Sequence, residues 1–124
     1  MNTKAKGARA ERALKKKLEE MGYIVVRSAA SLTFDLVAIN PNNGHTFLIE
    51  VKSIQKGYWR PRNKQEKSQI ANLSRCNNWV NSLYALIAVY CQATKRWYVY
   101  TPVERTTGKV ELVRTGVLLG DAND

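Results

Sequence analysis

The chain alternates between stretches with a helical spacing of apolar residues and stretches with a strand spacing. In ARAERALKKKLEEM, the apolar residues Ala10, Leu14, Leu18 and Met21 recur at spacings of four, four and three. This spacing predicts one buried face of a helix, which ends at Gly22. Three strand patterns follow, namely YIVVR (23–27), TFDLVAI (33–39) and FLIEVKS (47–53).

A hairpin is predicted between the second and third strands, because the intervening NPNNG consists of strong turn residues. If the register is symmetric about residues 40–45, Ile39 pairs with Thr46 and Asp35 pairs with Glu50. The two carboxylates would then face each other across the hairpin.

The second half of the chain predicts one more helix and two more strands. A basic aromatic loop, SIQKGYWRPRN, is followed by a helix of weaker pattern at about 63–80 that includes Val80 on its apolar face. The segment 82–90 (SLYALIAVY) is apolar on both faces, which is typical of a central strand, and 96–101 (RWYVYT) follows as a further strand. The pattern therefore predicts an α/β domain with a central mixed five-stranded sheet flanked by helices.

Length and charge narrow the class of protein. A chain of 124 residues fits one domain, 1–124, for which we expect a mobile basic arm at 1–7 and a flexible tail at 118–124. Lys and Arg number 20 against 10 Asp and Glu, and this excess predicts an anionic partner. The basic residues concentrate in 1–20 and 51–70, and neither zone surrounds a long apolar face, so nucleic acid is favoured over a membrane surface.

The two cysteines, Cys76 and Cys91, have neither CxxC spacing nor a Cys/His cluster, which argues against a zinc site or a disulfide framework. The basic N-terminus lacks the apolar run of a signal peptide, and no stretch is long and apolar enough to span a membrane. We therefore expect a protein of the reducing cytoplasm, either of a cell or of a host if the chain is viral.

The charges in the third strand have two explanations. Glu50 and Lys52 point to the same face of the strand, and they form either a solvated ion pair or part of an active site. Facing carboxylates destabilise a sheet, so Asp35 opposite Glu50 requires compensation, which Lys52 and a divalent cation such as Mg²⁺ can supply. Such a site can hydrolyse a phosphodiester, with the cation polarising the phosphoryl oxygens and Lys52 stabilising charge on the phosphate. Glu11 on the first helix either reaches the same cation or complements the helix dipole.

The sequence around these residues resembles known nucleases. Asp35 followed by Glu50-Val51-Lys52 looks like the PD-(D/E)xK nuclease superfamily, whose core is restriction-endonuclease-like. Within it, KGARAERALKKKLEEMGYIVVRSAAS is similar to the archaeal-type Holliday junction resolvases, which open with Gly-x-x-x-Glu-Arg on a helix, then a Gly-aromatic strand ending in Arg and a Ser four residues later. The resemblance is good over residues 6–53 and colinear afterwards.

The resemblance implies a role for each matching residue. Three carboxylates are the implied metal ligands, for Mg²⁺ with Mn²⁺ as a candidate substitute: Glu11, Asp35 and Glu50. The implied catalytic lysine is Lys52, and the residues implied to act near the scissile phosphate are Arg12, Arg27 and Ser31. A Gln at the start of the second helix corresponds to Gln65, with Gln69 as a poorer match.

Other residues are expected to contact DNA. In the N-terminal segment and the basic loop these are Lys4, Lys6, Arg9, Lys56, Tyr58, Trp59, Arg60 and Arg62. Tyr58 and Trp59 either stack on unpaired bases at a branch point or cover the sheet edge.

The implied function is a Mg²⁺-dependent endonuclease of DNA recombination and repair that resolves four-way junctions. Two symmetric nicks require two active sites, so a homodimer is expected, with 82–90 and the apolar residues of the tail as candidates for its interface. Family members usually have a longer basic loop between the Ser and the Asp than the Leu32, Thr33 and Phe34 found here. A nuclease of the same superfamily acting on duplex, flap or repair substrates is therefore an alternative, and so is a non-catalytic basic DNA-binding module.

Overall fold

The computed structural model describes residues 3–28, 34–105 and 110–118. Within these ranges the elements are α1 (Thr3–Glu20), β1 (Ile24–Arg27), β2 (Leu36–Ile39), β3 (Thr46–Ile54), α2 (Lys64–Arg75), a 3-10 turn (Trp79–Asn81), β4 (Leu83–Cys91), β5 (Arg96–Glu104) and β6 (Val110–Leu118). No helix among the described residues is long and apolar enough to cross a membrane.

The strands form one mixed sheet in sequence order, from β1 to β6. Strands β3 and β4 are parallel and are connected through α2, whereas every other neighbouring pair is antiparallel. The predicted mixed sheet is confirmed, but the prediction of five strands was wrong. The sixth strand arises after Pro102, where Val110 and Leu112 pack against the core beneath α2.

Each helix covers its own part of the sheet. Helix α1 buries Leu14 and Leu18 against one face, where they meet Ile49 and Val51 of β3. Helix α2 buries Ile70 and Leu73 against the opposite face, where the core includes Leu48, Ile87 and Val89. Odd residues of β3 therefore face α1, and even residues face the side of α2, as the strand pattern predicted.

The hairpin between β2 and β3 has the predicted register. Ile39 pairs with Thr46, and the ladder continues to Leu36 opposite Ile49. The ladder ends at this pair, so the predicted pairing of Asp35 with Glu50 is not part of it; the backbone N–H of Asp35 donates instead to the carbonyl of Ile49 at 2.8 Å.

Two helix boundaries differ from the prediction. Helix α1 begins at Thr3, so residues 3–7, which the charge pattern placed in a basic arm, lie in a helix whose alanines and lysines favour that conformation. Helix α2 ends at Arg75 rather than near residue 80, because the following asparagines favour chain reversal and Asn78 caps the separate 3-10 turn. Val80 is consequently 74% exposed instead of buried.

Strand β4 is the central strand that its sequence predicted. Ala85, Ile87, Ala88 and Val89 are almost fully buried, and β3 and β5 occupy its two edges. The edges of this strand are therefore not free to pair with a partner protomer, although Leu83, Tyr84 and Tyr90 remain partly exposed, and the segment 82–90 stays a candidate for the dimer interface.

Candidate active site

Strand β3 presents two charged side chains at the place where its partner β2 is absent. Strand β2 pairs with β3 only as far as Ile49, so the following residues of β3 have an open edge on that side. Just past this point, the Nζ of Lys52 lies 3.3 Å from Oε1 of Glu50, and the two side chains are 23% and 15% exposed. The ion pair predicted from FLIEVKS is thus largely buried. This burial disfavours the explanation that Glu50 and Lys52 are a solvated pair at a sheet edge.

The side chain of Asp35 binds a backbone group of β3 at this open edge. Its Oδ2 accepts the backbone N–H of Val51 at 2.7 Å. Its backbone is fixed on both sides, because its N–H donates to Ile49 and its carbonyl accepts the N–H of Ser28 at 2.9 Å. A second bond, from the Ser28 hydroxyl to the carbonyl of Phe34, holds the start of β2 against β1. The carboxylate of Asp35 is therefore held beside Glu50 by the hairpin itself.

Helix α1 brings a third carboxylate to the same place. Glu11 lies close enough to Asp35 to raise the pKa of the Asp35 carboxyl group. Its Oε2 also lies 2.9 Å from Nη2 of Arg27, the last residue of β1. Of the two explanations for Glu11, the structure favours a residue that belongs to the carboxylate group, since its contacts are with Asp35 and Arg27.

Burial and neighbouring carboxylates raise the pKa of Asp35 and of Glu50. Burial is the largest cause that raises the pKa of Glu50 to about 7, and the negative charge of Asp35 adds to it against the opposing charge of Lys52. Burial likewise raises the pKa of Asp35 to about 6, although the N–H of Val51 counteracts it, and Glu11 adds to the increase. When all three carboxylates are ionised, their negative charge therefore exceeds the positive charge of Lys52 and Arg27.

These carboxylates fit a divalent cation by their chemistry. Among the residues described, no group of three or more His, Cys, Asp or Glu side chains is arranged to hold a metal ion. Instead, protein donors occupy oxygens of the three acids: Arg27 on Glu11, Val51 on Asp35, and Lys52 on Glu50. Carboxylate oxygens are the ligands that Mg²⁺ prefers, and a positive ion would offset the repulsion that raises the pKa of Asp35 and Glu50.

Lys52 has two further neighbours, one of which the sequence did not reveal. Its Nζ lies 4.0 Å from Oε2 of Glu66 and 5.6 Å from the ring centroid of Trp59, within the range of a cation–π contact. Burial alone would raise the pKa of Glu66, but hydrogen bonds from Arg62 and the charges of Lys52 and Arg62 lower it. Glu66 is therefore a stable anion that shares Lys52 with Glu50.

The capping sequence at the start of α2 is a local signal for the position of Glu66. Asn63 caps α2 by accepting the N–H of Glu66 at 2.9 Å, and the Glu66 carboxylate accepts the N–H of Arg62 at 2.7 Å. This arrangement resembles a capping box, in which a Glu three residues after the cap turns back over the start of the helix. In this fold the start of α2 lies against Lys52.

The remaining predicted residues are less closely placed. Gln65 and Arg12 are exposed on their helices, and it is Glu66, not Gln65, that contacts Lys52. Ser31 lies outside the described residues, and for Lys4 and Lys6 the structure describes only the backbone, within α1.

A cleft of about 590 Å³ runs beside Lys52, between Gly7 of α1 and the loop that precedes α2. Arg60 and Arg62 line this cleft and are exposed, as is Tyr58 at 67%. Trp59 is only 7% exposed and packs in the α2-side core, so it covers the sheet instead of stacking on bases. Lys56 is exposed in the same loop. We call this space the catalytic cleft because Lys52, the residue that the resemblance implies is the catalytic lysine, lines it; Glu11, Asp35 and Glu50 are not among its lining residues.

Comparisons with known proteins agree with this architecture. The family model described as archaeal Holliday junction resolvase (Hjc) matches residues 2–116. The structure of Hjc from Archaeoglobus fulgidus, a Holliday junction resolvase, aligns with a TM-score of 0.61 at 21% identity, over 95% of this chain and 94% of that one. The bacterial homing endonuclease I-Ssp6803I aligns with a TM-score of 0.53 at 23% identity, over 81% of this chain and 65% of its own. Both structural matches show the restriction-endonuclease-like fold.

Proposed function

The chain belongs to the family of archaeal Holliday junction resolvases, and we propose that it cuts four-way DNA junctions in the catalytic cleft by metal-dependent hydrolysis of a phosphodiester. The observation that carries this proposal is the convergence of three carboxylates, Lys52 and Arg27 at the open edge of β3. A structural network would not need a group of acids in which the pKa of Asp35 and of Glu50 is raised, whereas a metal-dependent nuclease needs such carboxylates to bind its cation.

We assign the metal to Glu11, Asp35 and Glu50. A divalent cation bound there supplies a Lewis acid for the phosphoryl oxygen and lowers the pKa of a water. Mg²⁺ is the proposed ion, because all three ligands are carboxylates. Arg27 offsets the charge of Glu11 in the metal-free protein.

Lys52 is the proposed catalytic lysine. Its ammonium lies beside Glu50, where it can donate to a phosphate oxygen as negative charge develops during attack by water. Trp59 and Glu66 restrict its position from the other side. Because the lysine is already oriented, little reorganisation is needed when the substrate binds.

The basic loop is the proposed contact to the DNA backbone. Arg60 and Arg62 border the catalytic cleft, and Lys56 is exposed in the same loop. Contacts of this kind fix the position of the phosphate without reading bases, so the protein should recognise the shape of the branch. Affinity should fall steeply with salt.

We further propose that the active form is a homodimer with twofold symmetry. A four-way junction is resolved by two nicks, and each protomer carries one set of the acids described above. Sedimentation equilibrium at micromolar concentration tests this, with a dimer mass as the expected result and a monomer mass at all concentrations as the contrary one.

Cleavage of labelled DNA tests the function. The substrates are a synthetic four-way junction, a linear duplex of the same sequence and a flapped duplex, each with Mg²⁺, with Mn²⁺ and with EDTA. Paired symmetric nicks in the junction, dependent on the metal, are expected. Equal cutting of all three substrates would instead identify a nuclease of the same superfamily with a different substrate, and binding without cutting would contradict the catalytic assignment.

A further inference from the structure

A second cleft, of about 690 Å³, lies on the face of the sheet that α1 covers. One wall is α1, through Arg9 and Lys17, and the other comes from the ends of β4 and β5. Lys95, in the turn between those strands, borders the opening, and its N–H bonds to the carbonyl of Cys91 at 2.8 Å. The site proposed above uses none of this space.

The walls of this second cleft combine positive charge with an aromatic floor. The half-buried ring of Tyr90 forms this floor, and the ring of Trp97, which is only 3% exposed, supports it at 5.3 Å and an interplanar angle of 54°. Arg9, Lys17 and Lys95 are exposed around it, and none of the described residues that line it is acidic. In the part of the chain that the structure describes, these three cations form no ion pair with a carboxylate. Cations around an aromatic surface are the arrangement by which proteins hold single-stranded nucleic acid.

The size of the second cleft excludes a duplex. Its volume of about 690 Å³ falls within the range of sites that enclose one small ligand. One or two nucleotides of a single strand match this space, with the phosphate at the basic rim and a base or sugar over the floor. A duplex arm can touch only the rim.

The two clefts adjoin each other. Ser53 of β3 lines both of them, because it lies on the strand edge that β2 leaves open. The N-terminal half of α1 contributes to both as well, through Gly7 on the catalytic side and Arg9 on the other. A strand that leaves the catalytic cleft therefore meets the second cleft within a short distance along its backbone.

We propose that the second cleft is a subsite for single-stranded DNA, which binds an unpaired nucleotide next to the strand cut in the catalytic cleft. The phosphate contacts Arg9, Lys17 and Lys95, and Tyr90 covers the base or sugar. This inference rests on the proposed function, since it presumes a DNA substrate. It adds a reason for preferring a branch point, where strands separate, over linear duplex.

Binding of a fluorescein-labelled hexathymidylate in EDTA tests the subsite without any cleavage. The cleft variant combines Arg9→Gln, Lys17→Gln and Lys95→Asn. Asn is chosen because Lys95 has a φ of 57°, a conformation in which Asn is favoured. We expect the Kd, measured by fluorescence anisotropy, to increase by about tenfold or more, and the slope of log Kd against log salt to fall by about two, as for lost phosphate contacts.

The matched control removes three positive charges from α2, on the opposite face of the sheet. It combines Lys64→Gln, Lys67→Gln and Arg75→Gln, all exposed. A loss of affinity equal to that of the cleft variant would mean that overall charge alone attracts the oligonucleotide, and would overturn the subsite. Thermal unfolding of each variant verifies that it is folded.

The aromatic floor is tested separately through Tyr90. Replacement by Leu removes the ring and should weaken binding of the hexathymidylate by about tenfold, whereas Tyr90→Phe should retain it. Unchanged affinity in the Leu variant would refute the role of the floor. If the wild type cleaves the junction but does not bind the hexathymidylate, the subsite is wrong and the proposed function stands. The reverse result, binding through this cleft without cleavage of any junction, would refute the function alone.

Discussion

Replacing Glu50 by Gln should stabilise the metal-free protein at pH 8, although it removes an ion pair. Above pH 7 the folded protein contains an ionised Glu50 that burial and the charge of Asp35 both disfavour. Gln has nearly the same shape and no charge. The variant therefore lacks the unfavourable free energy of the ionised Glu50, which destabilises the wild type when no cation is bound.

The magnitude follows from the pKa. A value of about 7 against the ordinary 4.5 corresponds to roughly 3 kcal/mol of free energy, at 1.36 kcal/mol per pKa unit. This pKa already includes the opposing charge and hydrogen bond of Lys52, so the loss of that contact is not subtracted again. We expect the variant to gain about 3 kcal/mol at pH 8, and almost nothing at pH 4.5.

The sign of the pH dependence is fixed by proton binding. Between pH 4.5 and about 7 the folded protein binds more protons at Glu50 than the unfolded chain does. Wild-type stability should therefore fall as the pH rises through this window, and the advantage of Gln should grow over the same interval. Urea unfolding in EDTA at pH 5, 6, 7 and 8 measures both curves by linear extrapolation.

The control is Glu19→Gln, which removes an exposed acid that pairs with Lys15 at 2.9 Å. Its free energy of unfolding should change by less than about 0.5 kcal/mol at every pH. Added Mg²⁺ should stabilise the wild type and the control but not Glu50→Gln, since only a protein that binds the ion gains stability from it. A Glu50→Gln variant that is less stable than wild type at pH 8 would refute the reasoning and favour a structural network.

Four further substitutions separate catalysis, positioning and packing. Lys52→Gln should lower the single-turnover rate of junction cleavage by about 10²–10³ while the Kd for the junction changes little, and a comparable loss of binding would contradict a catalytic role. Glu66→Gln should lower the rate by about tenfold with little loss of stability, whereas Asn63→Ala should cost about 1 kcal/mol of stability through the lost cap and leave the rate nearly unchanged. If the two variants lose rate equally, Glu66 acts only through the helix. Trp59→Ala should destabilise the protein by about 3–5 kcal/mol in urea unfolding, and a variant as stable as wild type would show that the ring is not in the core.

The residues of the carboxylate group were largely predictable because local rules determine their positions. Strand alternation places Glu50 and Lys52 on one face, and the turn sequence sets the register that brings Asp35 beside them. The helical stripe of α1 places Glu11 at its border. Each of these inferences needs only a few consecutive residues and one periodicity.

Other features depended on contacts between distant segments. The approach of Glu66 to Lys52 arises from the path of the loop across the sheet, and the burial of Trp59 arises in the same way. Strand β6 was missed because its pairing with β5 and its packing under α2 are tertiary contacts. The end of α2 at Arg75 was not predicted, because the apolar spacing continues to Val80 although the asparagines after Arg75 end the helix.

The most direct test of the central claim separates cleavage from binding at Glu50. A four-way junction labelled on each strand in turn is bound and cut by wild type, Glu50→Gln and Glu19→Gln, with binding measured in EDTA and single-turnover cleavage started by Mg²⁺. We expect all three proteins to bind with similar Kd, and only the wild type and the Glu19 variant to make paired nicks. Cleavage by Glu50→Gln at the wild-type rate would contradict the assignment of the carboxylates and Lys52 as the hydrolytic site.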